Sequence, residues 1–355
     1  MNPVYFSPLP DGPAIPQQVI AIQKVMAAGE MAGIIAPHDF VAVKIHVGEG
    51  QNNTYIKPDL IKAVVDLSKT KSGLVFLTET STLYKGQRSN AVDHIRLASR
   101  HGFGMEAMGA PFIMADGLTG GSEIEVPIGG EIEKSVKIAR EAVLADVLIA
   151  VSHPTGHLAT GLGACLKNLG MGLASRAGKL RQHSSIKPRV NTGACRFCQK
   201  CLQWCPASAI LGSGQKARIL TEKCIGCGEC LTVCRYDAIE YNWGAEPAAL
   251  QKIMAEHAFG AVKNKLEKCF YINVLVDMTQ DCDCMGYVQK KLIPDIGILA
   301  SKDPVAIDKA TLDLTEKANG KSLAKLAKSH LNPMVQLEHA AKLGMGNMEY
   351  QLVEV

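Results

Sequence analysis

Residues 195–206 read CRFCQKCLQWCP, and residues 224–235 read CIGCGECLTVCR. Each run sets four cysteines at one spacing: Cys195, Cys198, Cys201 and Cys205, then Cys224, Cys227, Cys230 and Cys234. Three thiols at intervals of three can wrap three irons of a [4Fe–4S] cube from one short loop, while the fourth ligand comes from elsewhere. In a doubled run of this kind the last cysteine of each crosses to the other cube. Cys195, Cys198, Cys201 and Cys234 are therefore expected to hold one cluster, and Cys224, Cys227, Cys230 and Cys205 the other. A zinc ribbon would pair its cysteines as Cys-x2-Cys hooks with a longer gap. A disulfide framework needs an oxidising compartment, and nothing in the sequence suggests secretion.

The rest of the chain sets limits on what surrounds these runs. Its 355 residues suffice for one large or two medium domains. With 47% hydrophobic and 20% charged residues and a mean hydropathy of +0.07, it reads as a globular chain with a buried sheet. No apolar run reaches the length of a membrane span. The opening MNPVYFSPLPDGPAIPQQ has neither the basic start nor the apolar stretch of a signal peptide, so a reducing cytoplasm is expected. That setting suits oxygen-sensitive clusters, and anaerobic chemistry. The net charge of +4 is scattered rather than gathered in a stripe with aromatics, which argues against a nucleic-acid partner.

Ahead of the cysteine runs, strand-like segments at 40–47, 74–78, 111–115 and 147–151 alternate with helical ones at 58–69, 91–100 and 131–144. This texture predicts an α/β layered domain with a mostly parallel sheet. It returns after the runs, with a helix over 248–265, strands over 271–277 and 295–300, a helix over 303–314, and two short helices and a strand in the tail. The expected organisation is an α/β host in two parts, 1–185 and 246–355, with an α+β two-cluster unit, 186–245, inserted between them. Ser185, Ile186, Lys187 and Pro188 read as the entering linker. Two tandem domains are the alternative.

The strings VAVKIHVGE (41–49), LTETSTLYKGQR (77–88), ADGL (115–118), SHPTGHLATGLGACLKNLGMGLASRAGKLRQHS (152–184), INVLVDMTQDCDCMGY (272–287) and PDIGILASKDPVAIDKATLDL (294–314) resemble the domain-of-unknown-function-362 family. The likeness lies with its branch of uncharacterised iron–sulfur centre proteins, which carry a bacterial-type ferredoxin unit at the same place. It covers nearly the whole chain. It implies that fold and those cofactors, and implies no particular reaction. Arg235 stands where ferredoxin runs usually have Pro, a change in the turn and not in a ligand. Residues 153–170 are also similar to the loop of nickel-pincer lactate racemases that carries a lysine beside its cofactor.

Outside the runs, His153 and His157 stand among Gly156, Gly161 and Gly163, with Lys167 and Asn168 following. A glycine-rich turn after a strand and before a helix suits an anion or cofactor phosphate, with His153, His157 and Lys167 as catalytic candidates. The plainer alternative is a tight turn with a histidine capping the helix. His46 and Glu49 follow the 40–47 strand and form a possible metal-binding or proton-passing pair, and Glu79 follows the next strand as a further catalytic candidate. The turn Asp281-Cys282-Asp283-Cys284 places two thiols between carboxylates, a spacing at which a disulfide does not close easily. Either the thiols bind a soft metal whose charge offsets the carboxylates, or one is a nucleophile or redox partner. Isolated Cys165 and Cys269 read as packed apolar groups. Arg176, Lys179, Arg181 and His183 read as a solvated basic face, the alternative being a site for a phosphate or acidic substrate between the domains.

The function expected from these residues is a ferredoxin-linked oxidoreductase or redox-activating protein, passing electrons from two [4Fe–4S] clusters to a cofactor, metal or substrate in the α/β part. The mildly basic cysteine segment suggests an acidic redox partner such as a ferredoxin or reductase. A non-catalytic electron, cluster or metal carrier is the competing expectation. An isomerase with structural clusters is a third.

Overall fold

The computed structural model describes residues 1–84, 86–183, 187–224, 226–241 and 246–355. Its centre is an eight-stranded sheet: β1 (Asn2–Pro8), β2 (Val41–Lys44), β3 (Val75–Glu79), β4 (Phe112–Met114), β5 (Val147–Ser152), β6 (Cys269–Leu275), β7 (Gly297–Ser301) and β8 (Tyr350–Glu354). The spatial order is β8-β1-β7-β6-β5-β2-β3-β4. β7 runs antiparallel to both neighbours, and every other pairing in the sheet is parallel. The expected mostly parallel α/β sheet is what the chain forms.

Buried sequence texture explains the centre. Every residue of β2, β5 and β6 is buried, because helices cover both faces and leave no polar side for alternation. Leu148 and Ala150 point into one core, while Val147, Ile149 and Val151 point into the other. The helix Pro58–Lys69 begins on a proline and carries Asp59 in its first turn and Lys69 in its last, matching its dipole. It buries Leu60, Ile61, Val64 and Val65. The helix Pro304–Asn319 is capped by Asp303, whose carboxylate accepts from the Val305 and Ala306 N–H groups.

One helical expectation fails. Within 131–144, Ser135–Ala139 is a strand paired with Glu123–Pro127, and only Arg140–Leu144 is helical. Val136 and Ile138 are buried while Ser135 and Lys137 between them are less so, a period of two that outweighs the helical reading.

Residues 189–240 add no strand to the main sheet. They pair Arg189–Val190 with Ile239–Glu240 and Ile210–Ser213 with Lys216–Ile219, beside short helices Lys200–Gln203 and Glu229–Val233. Three pairs of residues with positive φ, Phe197 and Gly226, Gln199 and Gly228, Ser208 and Asp237, recur at the interval separating Cys195 from Cys224. The two halves thus repeat in backbone as in sequence. The unit boundaries expected at 185–186 and 245 lie outside the described residues. Among those described, no helix is long and apolar enough to cross a membrane.

Candidate functional site

Parallel strands β2, β3, β5 and β6 all end on one edge of the sheet, and a cavity of about 650 Å³ opens there. Such an edge collects loops from several strands, which is why α/β proteins place ligands there. His46, Glu79, His153, His157, Lys167, Cys282 and Cys284 all line it. Residues far apart in sequence therefore share one chamber. Glu49 lies behind it, accepting from the Gln87 N–H at 2.9 Å and from Arg88 Nε at 3.4 Å.

Glu79 is the anchor of the wall. Its carboxylate accepts from the Val47 N–H (3.1 Å), Arg88 (3.3 Å) and His94 (2.9 Å), with Lys44 Nζ 3.6 Å away. Burial works to raise this carboxyl, but the charges of Lys44 and Arg88 outweigh it and hold it well below the usual range. A carboxylate so tied is poorly placed to take a proton; it fixes Arg88, which also donates to the Tyr84 hydroxyl. Lys44, pushed down to about 8 by burial, donates to the Ile45 carbonyl and Asn168 Oδ1.

The three expected histidines fall into three protonation roles. His153 has acceptors at both nitrogens, Asp283 Oδ2 at 2.7 Å and the Val276 carbonyl at 2.9 Å, so the ring is a doubly protonated cation with no lone pair to give. Burial opposes that charge, and Asp283 more than restores it. His46 Nδ1 accepts from the Gly48 N–H at 3.1 Å. Its neutral ring, held well below the usual range by burial and by Arg88, therefore keeps its proton on Nε2. With Glu49 turned to Arg88, the expected His46–Glu49 metal pair is divided between two other tasks. His157 differs: its Nδ1 stands 2.9 Å from the Thr160 hydroxyl, which donates to the Leu162 carbonyl at 2.7 Å, and accepts from the Ala159 N–H at 3.4 Å. Burial, then Lys167, keeps that ring neutral.

The glycine-rich stretch is a small hairpin, Thr155–His157 against Gly161–Gly163, followed by the helix Cys165–Gly170. Gly161 turns it at φ +74°, and Gly156 lets the Gln280 carbonyl approach to 2.2 Å of where a Cβ would stand. The expected phosphate cradle is filled by the chain itself. Asp308 accepts from the Cys165 and Leu166 N–H groups at 2.9 Å each, and Asn168 braces β5 through the Val151 carbonyl and Ser152. Lys167 lines the cavity with no hydrogen bond or ion pair among the described residues, and burial, then Arg88, lowers it to about 8.

Cys282 and Cys284 are joined as a disulfide with a Cα–Cα distance of 5.3 Å, against the expectation that this spacing does not close easily. Among the described residues no group of three or more His, Cys, Asp or Glu side chains is gathered to hold a metal ion. Cys165 and Cys269 are fully buried in the core, as expected.

The cysteine runs form two small cavities. One is lined by Cys195, Cys198, Cys201 and Cys234, the other by Cys205, Cys224, Cys227 and Cys230, so the last cysteine of each run faces the other run's trio. Backbone N–H groups point at four of the sulfurs: Phe197 and Ala217 at Cys195, Ala209 at Cys205, Gly226 at Cys224 and Ala238 at Cys234, at 3.2–3.5 Å. The helix Arg176–His183 separates this region from the large cavity. A Cβ on Gly228 would lie 2.9 Å from the Ala177 Cα, while Lys179 and His183 line the cavity. The expected solvated basic face is thus buried at Arg176 and Lys179 and half-buried at His183, and of the four only Arg181 is exposed, paired with Glu133. Their recurrence at helical spacing was the missed signal; Lys44 and Arg88 carried none, as single cations in otherwise ordinary segments.

A family model described as Domain of unknown function (DUF362) matches residues 41–313. The chain belongs to this family. The matched stretch of the DUF362 chain includes β2 to β7, both cysteine runs and every residue of the cavity named above. No curated protein matches it. Among solved structures it is similar to the lactate racemase apoprotein from Thermoanaerobacterium thermosaccharolyticum, with 12% identity and a TM-score of 0.44 over 89% of this chain and 58% of that one. A protein from Thermotoga maritima matches at 12% identity and a TM-score of 0.41, over 91% and 61%. The DUF362 chain therefore spans less than two thirds of either protein.

Proposed function

We propose that this protein is an iron–sulfur oxidoreductase or redox-activating protein in which residues 186–245 form an inserted two-cluster ferredoxin unit serving the cavity of the α/β host. Cys195, Cys198, Cys201 and Cys234 would hold one [4Fe–4S] cluster, and Cys205, Cys224, Cys227 and Cys230 the other. Bound there, such clusters store and release single electrons. The two cysteine cages, with N–H groups directed at sulfur, fit thiolates whose negative charge needs donors.

The observation that carries the reading is the helix Arg176–His183. One side packs on Gly228 and Leu231 beside a cysteine cage, and the other presents Lys179 and His183 to the cavity. The two compartments are thus about one helix diameter apart, on the order of 10 Å. A bare carrier has no use for a chamber of about 650 Å³ built from four strand-end loops. In that chamber His157 holds a neutral lone pair for proton transfer, and Lys167 and the His46 N–H offer donors to a ligand.

Anaerobic reconstitution, with iron and sulfide analysis and electron paramagnetic resonance during reduction, tests the clusters. Calorimetry with candidate acceptors tests the cavity. Clusters that form and reduce beside a cavity that binds nothing would return the protein to the carrier class.

A further inference from the structure

The disulfide between Cys282 and Cys284 lies in the wall of the cavity, away from the core that holds Cys165 and Cys269. A cross-link at a sequence separation of two closes a minimal loop, so it contributes little as a constraint on the unfolded chain. Nor does its loop depend on it. The Asp283 carbonyl accepts from the Glu49 N–H at 2.9 Å, and its carboxylate accepts from Thr54 at 2.8 Å and His153 at 2.7 Å. Asp281 accepts from Lys328 at 2.8 Å and from Tyr287 at 3.1 Å, and the Cys282 carbonyl accepts from the Met285 N–H at 3.0 Å and Gln289 at 3.3 Å. The segment is held on every side without the sulfur bond.

The flanking carboxylates do not call for a metal either. Asp283 is matched by the His153 cation and Asp281 by the Lys328 ammonium, so two thiols between them meet no uncompensated negative charge. The Lys167 ammonium, which has no hydrogen bond or ion pair among the described residues, lines the same cavity, a counter-charge for a thiolate.

We propose that Cys282 and Cys284 are a redox-active dithiol–disulfide pair that gathers two electrons, delivered singly through the cysteine-rich unit, and presents them together to a two-electron acceptor in the cavity. The step balances simply. The S–S bond takes two electrons from two one-electron donors of the iron–sulfur class and two protons from the cavity, and yields two S–H groups. The proposal rests on the iron–sulfur reading above, and supplies what that reading lacks: a conversion from single electrons to pairs beside His157 and Lys167.

The test uses full-length protein with reconstituted clusters. It is reduced anaerobically with a viologen radical, quenched in acid, alkylated with iodoacetamide and mapped by mass spectrometry. Cys282 and Cys284 should be unlabelled before reduction and both labelled after the cluster absorbance bleaches. In a reductive titration the wild type should take up about two electrons more per chain than C282S/C284S, whose clusters should reduce normally. Cysteines that stay bonded after the clusters bleach, that are labelled before reduction, or that become reactive only on metal chelation overturn the relay alone. Failure of any cluster to assemble overturns the function proposed above, and the relay with it.

Discussion

His153 Nδ1 lies 2.7 Å from Asp283 Oδ2, a buried contact between β5's end and the turn that carries the disulfide. Burial works to raise Asp283, but the His153 charge outweighs it and holds the carboxyl below its ordinary range; His153 is raised in return. Asp283's share of stability is present above about pH 3.9 and is lost as pH falls through its lowered value. His153's share is complete below about pH 6.5 and is lost as pH rises through its raised value. D283N, which leaves the cation unpaired, should lose about 3–5 kcal/mol, most fully between roughly pH 4 and 6.5. Urea midpoints across pH check this; a deficit constant from about pH 4 to 9 would argue against a charged pair.

Lys44, a buried amine, and Lys167, a half-buried one, are both lowered to about 8, yet they should answer substitution differently. K44M removes a partner of Glu79 and should cost about 3–5 kcal/mol. K167M removes a cation that forms no ion pair among the described residues, so the melting temperature should stay level or rise while cavity ligands bind more weakly. Thermal scans and calorimetry read the two effects separately. Equal destabilisation by both variants would contradict that placement of Lys167.

D308A should orphan the N–H groups of Cys165 and Leu166 and one from Asn273, at about 1–3 kcal/mol for each group that water cannot reach. Hydrogen exchange should accelerate first in the helix Cys165–Gly170. Unchanged protection there would show that the carboxylate is not its cap.

The facing of Cys205 and Cys234 predicts crossed losses. C205S should abolish the signal of the cluster proposed at Cys224, Cys227 and Cys230, and C234S that of the one proposed at Cys195, Cys198 and Cys201. Iron content and paramagnetic spectra of the two variants distinguish this from loss within each run.

Much of the layout was open to sequence reading because it rests on local chemistry. The uniformly apolar runs of β5 and β6 have one physical explanation, two covered faces, and the ends of parallel strands must share an edge. His46, Glu49, Glu79 and His153 each end or follow a strand and so belong to that edge, although Glu49 stands behind the cavity there and not in its wall. What each would do there was not legible. The difference between His153 and His157 lies in Asp283 and Thr160, and the occupant of the helix terminus before Cys165 is Asp308, more than a hundred residues away. Strand Ser135–Ala139 was hidden for the opposite reason: its short alternation sits between residues that also satisfy a helical count.

The helix Arg176–His183 gives the cysteine-rich unit a second occupation. Leu180 and Leu83 pack in one cluster with Cys195, Cys230 and Leu231, so the partition of the cavity leans on the very residues that surround the sulfurs. Excising residues 189–240 would take away that buttress along with the cysteine cages, and strip Ala177 and Leu180 of cover. Wall and cages come together here: a homologue that discards its cysteines must rebuild that partition with other apolar side chains, or lose the shape of its chamber.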